Sequence, residues 1–333
     1  VIILINGLRL KLLYISSGYS GIYDYLNQSI KDELSSNRYE WVHFHPLERM
    51  EKLKSIVTTF QPKVALTLTG DHLPIQTIQF LKEHGISLVC WMTEDPFYMD
   101  KTMKLINNFD YVFTIDSGAL RHYQPVHLNA YHLPLGTNPT VFKPLPAGNI
   151  YKSDLLFVGY PYPTRVDLIH FLLENTNYQI TLIGTAWYNA LQRVWRNNPR
   201  VTIKDTWIKP QEVVYYYNGA SIVLNPHRSH NFLHNQNTLG VVNESINNRT
   251  FDVAACEAFQ LIEEKPDLRS FFTEEEMVSY QDYEDCLRKI VFYMDNEEQR
   301  RIIAQRARRV VIEKHTFLHR VETMMDIIQK DGL

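Results

Sequence analysis

Short apolar runs and amphipathic stretches alternate along this chain from residue 11 onward, and that alternation constrains its fold more than any other feature. Strand-like runs lie at 11–16, 40–44, 64–69, 88–92, 111–115 and 130–133, and again at 155–159, 179–184, 201–204, 222–225, 259–263 and 277–280. Between them, segments such as 21–34 and 74–84 carry apolar residues at helical period. Strands alternating with helices close as right-handed βαβ units on a parallel sheet. Two sheets of about six strands are ordinary, whereas one of twelve is oversized, so the pattern predicts two doubly wound α/β domains. A length of 333 residues exceeds one usual core and suits two.

Pro134, Pro139, Pro144 and Pro146 punctuate the stretch 134–148, where neither helix nor central strand persists. The boundary is therefore set at 145, giving a Rossmann-like domain over 1–145 and a second over 146–314. Beyond 284 the pattern is helical, at 284–294, 297–313 and 317–329. Two facing open α/β domains leave a cleft at the carboxyl ends of their sheets, where this architecture takes ligands.

Composition narrows the function. A hydrophobic share of 45% with 21% charged residues describes a globular, soluble chain. A net charge of -3 argues against a dedicated nucleic-acid binder, which needs a basic surface. Cys90, Cys256 and Cys286 are odd in number and widely spaced, which excludes a fully paired disulfide framework and points to a reducing cytoplasm. No stretch approaches the roughly 20 apolar residues of a membrane span; the opening run at 1–5 is too short. His227, His230 and His234 lack a neighbouring acid or cysteine to complete a metal site, so no metal is expected there. The basic run from Arg300 to Lys314 is expected to be a solvated helix face.

The most informative stretch is 244–256, an asparagine-rich loop leading into a helix of small residues. Asn247 or Asn248 can cap that helix. The free N–H groups beyond the cap, with Arg249 beside them, suit a diphosphate. Asp252, one turn in, can accept two ribose hydroxyls, and Glu244, eight positions earlier, can reach the sugar of the same nucleotide-sugar; solvated surface carboxylates are the plain alternative. Arg165 follows the first strand of the second domain, and Asn225 and His227 close its fourth, all at the carboxyl edge of that sheet. Gly18 and Gly184, at strand ends, are grouped with the donor-binding residues. In the first domain Glu94 and Asp95 close one strand and Asp71-His72 another; Asp95 is the candidate general base for an acceptor hydroxyl.

The run Asn248-Arg249-Thr250-Phe251-Asp252, continuing to Ala254-Ala255-Cys256, resembles the signature helix of CgeB-type spore maturation glycosyltransferases. Further landmarks follow in the same order: Trp91 to Phe97, Leu133 to Pro139, Phe157-Val158-Gly159 with Arg165, Leu224 to Arg228, and His315-Thr316-Phe317 with Arg320. The resemblance implies the GT-B fold and transfer from a nucleotide-sugar without bound metal or other cofactor, linked to glycosylation of the outer spore layers. It makes the first domain the acceptor side and the second the donor side. It also implies that the segment 315–333 is a crossover helix packing back on the first domain. A UDP-sugar is the expected donor, the acceptor is unassigned, and the mother-cell cytoplasm or the spore is the expected place. The spacing of Glu244 and Asp252 is similar to the carboxylate pair of many retaining GT-B enzymes, which points to retention. Two departures stand out. Asp252 replaces a glutamate, and Glu257 stands where the family has glycine. A nucleotide-sugar epimerase of the same fold and a non-catalytic spore or glycan-binding protein are the competing readings.

Overall fold

Twelve strands form among residues 10–36 and 39–330, the part of the chain that the computed structural model describes. The apolar run at 1–5 lies outside the described residues. The first sheet consists of β1 (Lys11–Ile15), β2 (Glu40–Phe44), β3 (Val64–Leu68), β4 (Ser87–Met92), β5 (Tyr111–Thr114) and β6 (Ala130–His132). The second consists of β7 (Ser153–Val158), β8 (Ile180–Ile183), β9 (Val201–Lys204), β10 (Ala220–Asn225), β11 (Gln260–Glu263) and β12 (Val278–Tyr280). All pairings within both sheets are parallel. The expectation of two Rossmann-like domains is met.

Strand order decides where each sheet opens. The first runs β2-β1-β3-β4-β5-β6, so the chain reverses direction between β1 and β3. In the second, β12-β11-β10-β7-β8-β9, it reverses between β7 and β10. At such a reversal the flanking loops leave towards opposite faces, and a crevice opens beyond the carboxyl ends of the two strands. Central strands buried on both faces read as continuous apolar runs: β3, Val64-Ala65-Leu66-Thr67-Leu68, is buried throughout.

Each sheet carries its own core. Leu13, Ile15, Leu88, Cys90 and Tyr123 belong to the first, and Leu155, Phe157, Leu182, Trp187 and Leu224 to the second. All three cysteines are free and buried. The final helix, Phe317–Lys330, belongs to the first unit, where the Phe317 ring meets Tyr25 at 6.1 Å and Trp91 at 6.5 Å, edge on. On the preceding helix, Glu297–Lys314, Arg301 pairs with Glu298 and Arg306 with Glu275, so these members of the basic run are already matched by acids. Among the described residues no helix is long and apolar enough to cross a membrane.

By internal contacts the first unit comprises 1–135, 234–243 and 317–333, and the second 136–233 and 244–316. The segment His234–Asn243, assigned from sequence to the second domain, thus groups with the first. Its anchors explain why. Val241 is buried in the first core, Asn243 Nδ2 donates to Asp116 Oδ2 at 2.7 Å, and Thr238 donates through N and Oγ1 to the Asp100 carboxylate. Residues 136–145 and 315–316 move the other way, into the second unit, where Thr137 N donates to the His315 carbonyl at 3.1 Å.

Candidate functional site

In the second unit, the crevice between β7 and β10 is built around one aromatic ring. Phe157, near the end of β7, is fully buried, and two guanidinium groups lie over it: Arg165 at 5.2 Å and Arg249 at 5.3 Å. Arg165 comes from the helix Pro163–Asn175, which starts with proline at a position where the missing N–H costs nothing. Arg249 opens the helix Arg249–Ala255. Gly159 makes room for both, since a Cβ there would lie 2.8 Å from Arg249 Nη2 and 3.4 Å from Arg165 Nη1. Gly184 serves the backbone instead. A Cβ on it would collide with the Gly159 carbonyl, so glycine here lets the end of β8 close against the end of β7.

The polar partners of both arginines are neutral. Arg165 Nη1 donates to the Tyr160 carbonyl at 3.0 Å, and Arg249 Nη1 to Asn225 Oδ1 at 3.0 Å. Among the described residues no carboxylate lies within ion-pair distance of either. Arg165 is 6% exposed and its Nε has no partner. Burial, with Arg249 beside it, lowers its pKa from 12.5 to about 9. Arg228 adds a third cation, its guanidinium 4.8 Å from the Tyr162 ring that Arg165 also covers at 4.8 Å.

Asn225, fully buried at the end of β10, ties this arrangement together. Its Nδ2 donates to Thr250 Oγ1 (3.1 Å) and Gln260 Oε1 (3.0 Å), while Oδ1 accepts from Asn247 Nδ2 (2.9 Å) and Arg249 Nη1. All of its hydrogen-bonding capacity on the amide is spent inside the protein, so Asn225 and the equally buried Thr250 hold Arg249 in place. His227 accepts the Asn247 N–H on Nε2 at 3.3 Å, which leaves its proton on Nδ1, 3.8 Å from Glu263 Oε2. Burial, then Lys265, Arg165 and Arg249, push its pKa well below the usual value, and the ring is neutral.

Asn247, not Asn248, caps the helix: its Oδ1 accepts the Thr250 N–H at 3.2 Å, whereas Asn248 has helical backbone angles. Asn248 Nδ2 reaches Asp252 Oδ2 at 3.4 Å. Asp252 is 5% exposed, and its Oδ1 accepts from Thr137 Oγ1 at 2.7 Å, a duty not foreseen from sequence. At the other end of the helix, Glu257 has φ +56°, the Glu257 N–H donates to the Ala254 carbonyl at 2.9 Å and the Ala258 N–H to Val253 at 3.3 Å. That is a Schellman turn with glutamate at its left-handed residue, where glycine is the usual occupant. Glu244 is half-buried in the second unit, its carbonyl accepting from the Asp267 N–H at 3.4 Å.

Gly18 and Asp95 belong to the first unit. Gly18 has φ +80°, and a Cβ on it would lie 2.8 Å from His72 Nδ1; it seats the loop after β1 against the loop after β3. Asp95 corrects the sequence reading. It is 1% exposed, accepts from Thr114 Oγ1 (2.7 Å) and Tyr123 Oη (2.8 Å), and burial raises its pKa to about 7. A carboxyl shut in the core cannot take a proton from an acceptor. Its neighbour Glu94 is half-buried and lines a cavity, with Tyr23 Oη donating to Oε1 at 2.8 Å. Both residues lie in the turn beyond β4, which ends at Met92, so no strand period in the sequence distinguishes the two.

Against known proteins, a family model described as glycosyl transferase-like matches residues 165–326. The spore protein CgeB of Bacillus subtilis (strain 168) is 36% identical over 309 residues, 92% of this chain and 95% of that protein. The chain belongs to the CgeB family. Among solved structures, sucrose-phosphate synthase from Thermosynechococcus elongatus has a TM-score of 0.67 at 12% identity, covering 97% of this chain and 99% of that one. HepE from Anabaena, solved with UDP-glucose, has a TM-score of 0.66 at 10% identity, covering 96% and 100%. These neighbours place the CgeB family chain in the GT-B fold. Its signature helix is the one that carries Arg249 and Asp252 and ends at the left-handed Glu257.

Proposed function

We propose that this chain is a glycosyltransferase that moves a sugar from a nucleotide-sugar, a UDP-sugar first among them, to an acceptor hydroxyl. One observation carries the reading: Arg165 and Arg249 share the Phe157 ring beyond the reversal between β7 and β10, and among the described residues no carboxylate lies within ion-pair distance of either. Two cations held side by side, one of them buried, repel each other, and a bound dianion removes that cost. A nucleoside diphosphate supplies the matching charge. HepE, of the same fold, was solved with UDP-glucose, which supports uridine as the base.

In the reaction the bond between the anomeric carbon and the diphosphate oxygen breaks, and its electron pair leaves with the nucleoside diphosphate. The acceptor oxygen bonds to the anomeric carbon and gives up its proton to the departing diphosphate oxygen. Negative charge grows on the leaving diphosphate, where fixed guanidinium groups stabilise the transition state more than the ground state. Within this reading Asp252 Oδ2 contacts the ribose while Thr137 holds Oδ1, and Glu244 orients the donor sugar. The spacing of these two carboxylates supports retention of configuration. The arginine pair neutralises the diphosphate without a divalent cation or other cofactor. Relationship to CgeB supports a role in spore-layer glycosylation, from the cytoplasm of the cell that builds the spore.

Calorimetric titration with UDP tests the core of this. Micromolar to millimolar binding that persists in EDTA is expected and falls at least tenfold in Arg249→Ala. A silent titration in the wild type discards the donor site, and binding that vanishes in EDTA and returns with Mn²⁺ discards metal independence.

A further inference from the structure

The first unit holds a cavity of about 360 Å³ at its own strand reversal, between the loops that follow β1, β3 and β4. That volume falls in the range of roughly 300–1,000 Å³ of small-molecule sites. Three tyrosines, Tyr19, Tyr23 and Tyr98, contribute to its wall together with Asp71, Glu94 and Lys101. The wall is braced from within. Tyr19 stacks on His72 at 4.0 Å, and both Tyr19 Oη and Lys101 Nζ are bonded to Asp71 Oδ2. The other oxygen, Asp71 Oδ1, is buried without a hydrogen-bond partner, on a side chain only 6% exposed.

A buried carboxylate oxygen without a donor is costly, and a ligand that brings a donor relieves it. Burial pushes the Asp71 carboxyl up, but Lys101, Tyr19 and Thr69 together hold it below its usual pKa, so it acts as an acceptor. Candidate ligands sort by charge. An anionic ligand would face two carboxylates against one ammonium. An apolar one would leave Asp71 Oδ1 unsatisfied and bury the Lys101 charge. A neutral polyhydroxylated ring meets every demand, giving O–H groups to the carboxylates, accepting from Lys101 and laying its C–H face on a tyrosine ring.

We infer that this cavity binds a neutral carbohydrate, with Asp71 as the specificity-determining acceptor and the tyrosines as its stacking wall. Naming that carbohydrate as the sugar acceptor rests on the transferase reading above; the cavity's preference for neutral sugars does not.

The test is saturation-transfer NMR on the full chain, with UDP saturating and again without it, using glucose, N-acetylglucosamine, glucuronate and glucose 6-phosphate as probes. The neutral sugars are expected to bind and the two anions to bind at least tenfold more weakly. Asp71→Asn and Tyr98→Ala should each weaken neutral-sugar binding tenfold or more while UDP affinity stays at the wild-type value. If Asp71→Asn does not fold, Tyr98→Ala carries the comparison alone. No binding of either neutral sugar, equal or tighter binding of the anions, or wild-type binding in the folded variants overturns the inference. Sugar binding without UDP binding would leave the cavity assignment standing and strike only the donor reading.

Discussion

Arg165 and Arg249 lie over the same ring, that of Phe157, at 5.2 and 5.3 Å, and draw their polar partners from a carbonyl and an amide. Mutual repulsion is thus built into the site. The two residues differ in support: Arg249 is fixed by Asn225, whereas Arg165 Nε has no partner at all. Arg165→Ala should therefore lower kcat by roughly 100- to 1,000-fold, the usual cost of losing one donor to a developing oxyanion, with a smaller change in KM. Steady-state kinetics with a UDP-sugar and a competent acceptor decide this. An effect confined to KM would reduce Arg165 to a ground-state contact.

Asn225→Ala should weaken UDP binding by way of Arg249. It strips Arg249 of its acceptor and leaves Asn247, Thr250 and Gln260 groups unmatched in the interior. A loss of about 1–3 kcal/mol in stability is expected from unsatisfied buried groups. Denaturant melts and UDP titrations on the same sample check both effects. Wild-type UDP affinity in the folded variant would show that Arg249 needs no such brace.

Asp95 predicts a stability profile. Its folded pKa of about 7 lies above the unfolded value, so between about pH 4 and 7 the native state binds more protons than the unfolded one. Stability contributed by the protonated carboxyl is complete below pH 4, declines as pH rises through 7, and is flat beyond. Asp95→Asn should flatten that decline and keep sugar-transfer activity. Urea melts at pH 5 and pH 8 make the measurement; an unchanged slope in the variant, or loss of all activity in a folded protein, would contradict the placement of this carboxyl.

Glu257→Gly should stabilise the protein. A left-handed non-glycine residue carries about 1–2 kcal/mol of strain, part of which is cancelled by the greater freedom of glycine in the unfolded chain. A net gain of up to about 1 kcal/mol and a higher Tm are expected. A drop in Tm would mean that the Glu257 side chain contributes more than its backbone costs.

Much of the architecture is legible in the residues alone. Val64 to Leu68 can only be a strand buried on both faces, and Arg165 and Arg249 stand out because strand ends and helix starts leave local signatures. Asp95 is easily mistaken for a cleft residue because two acids stand side by side in the turn beyond β4, and which of them turns inward is decided by the distant partners Thr114 and Tyr123. His234–Asn243 carries no periodic signal; its membership of the first unit is decided by Val241, Asn243 and Asp116, whose meeting is set by tertiary packing. The Thr137–Asp252 bond spans 115 positions and leaves no trace in either neighbourhood.

The return of Phe317–Lys330 to the first unit also dictates an order of events during synthesis. Every residue of the second unit has been made by Thr316, whereas the first still lacks the helix whose Phe317 covers Tyr25 and Trp91. On a translating ribosome the middle of the chain is therefore free to reach its native contacts before the beginning is. The first six strands must wait, partly uncovered, for the last helix to emerge.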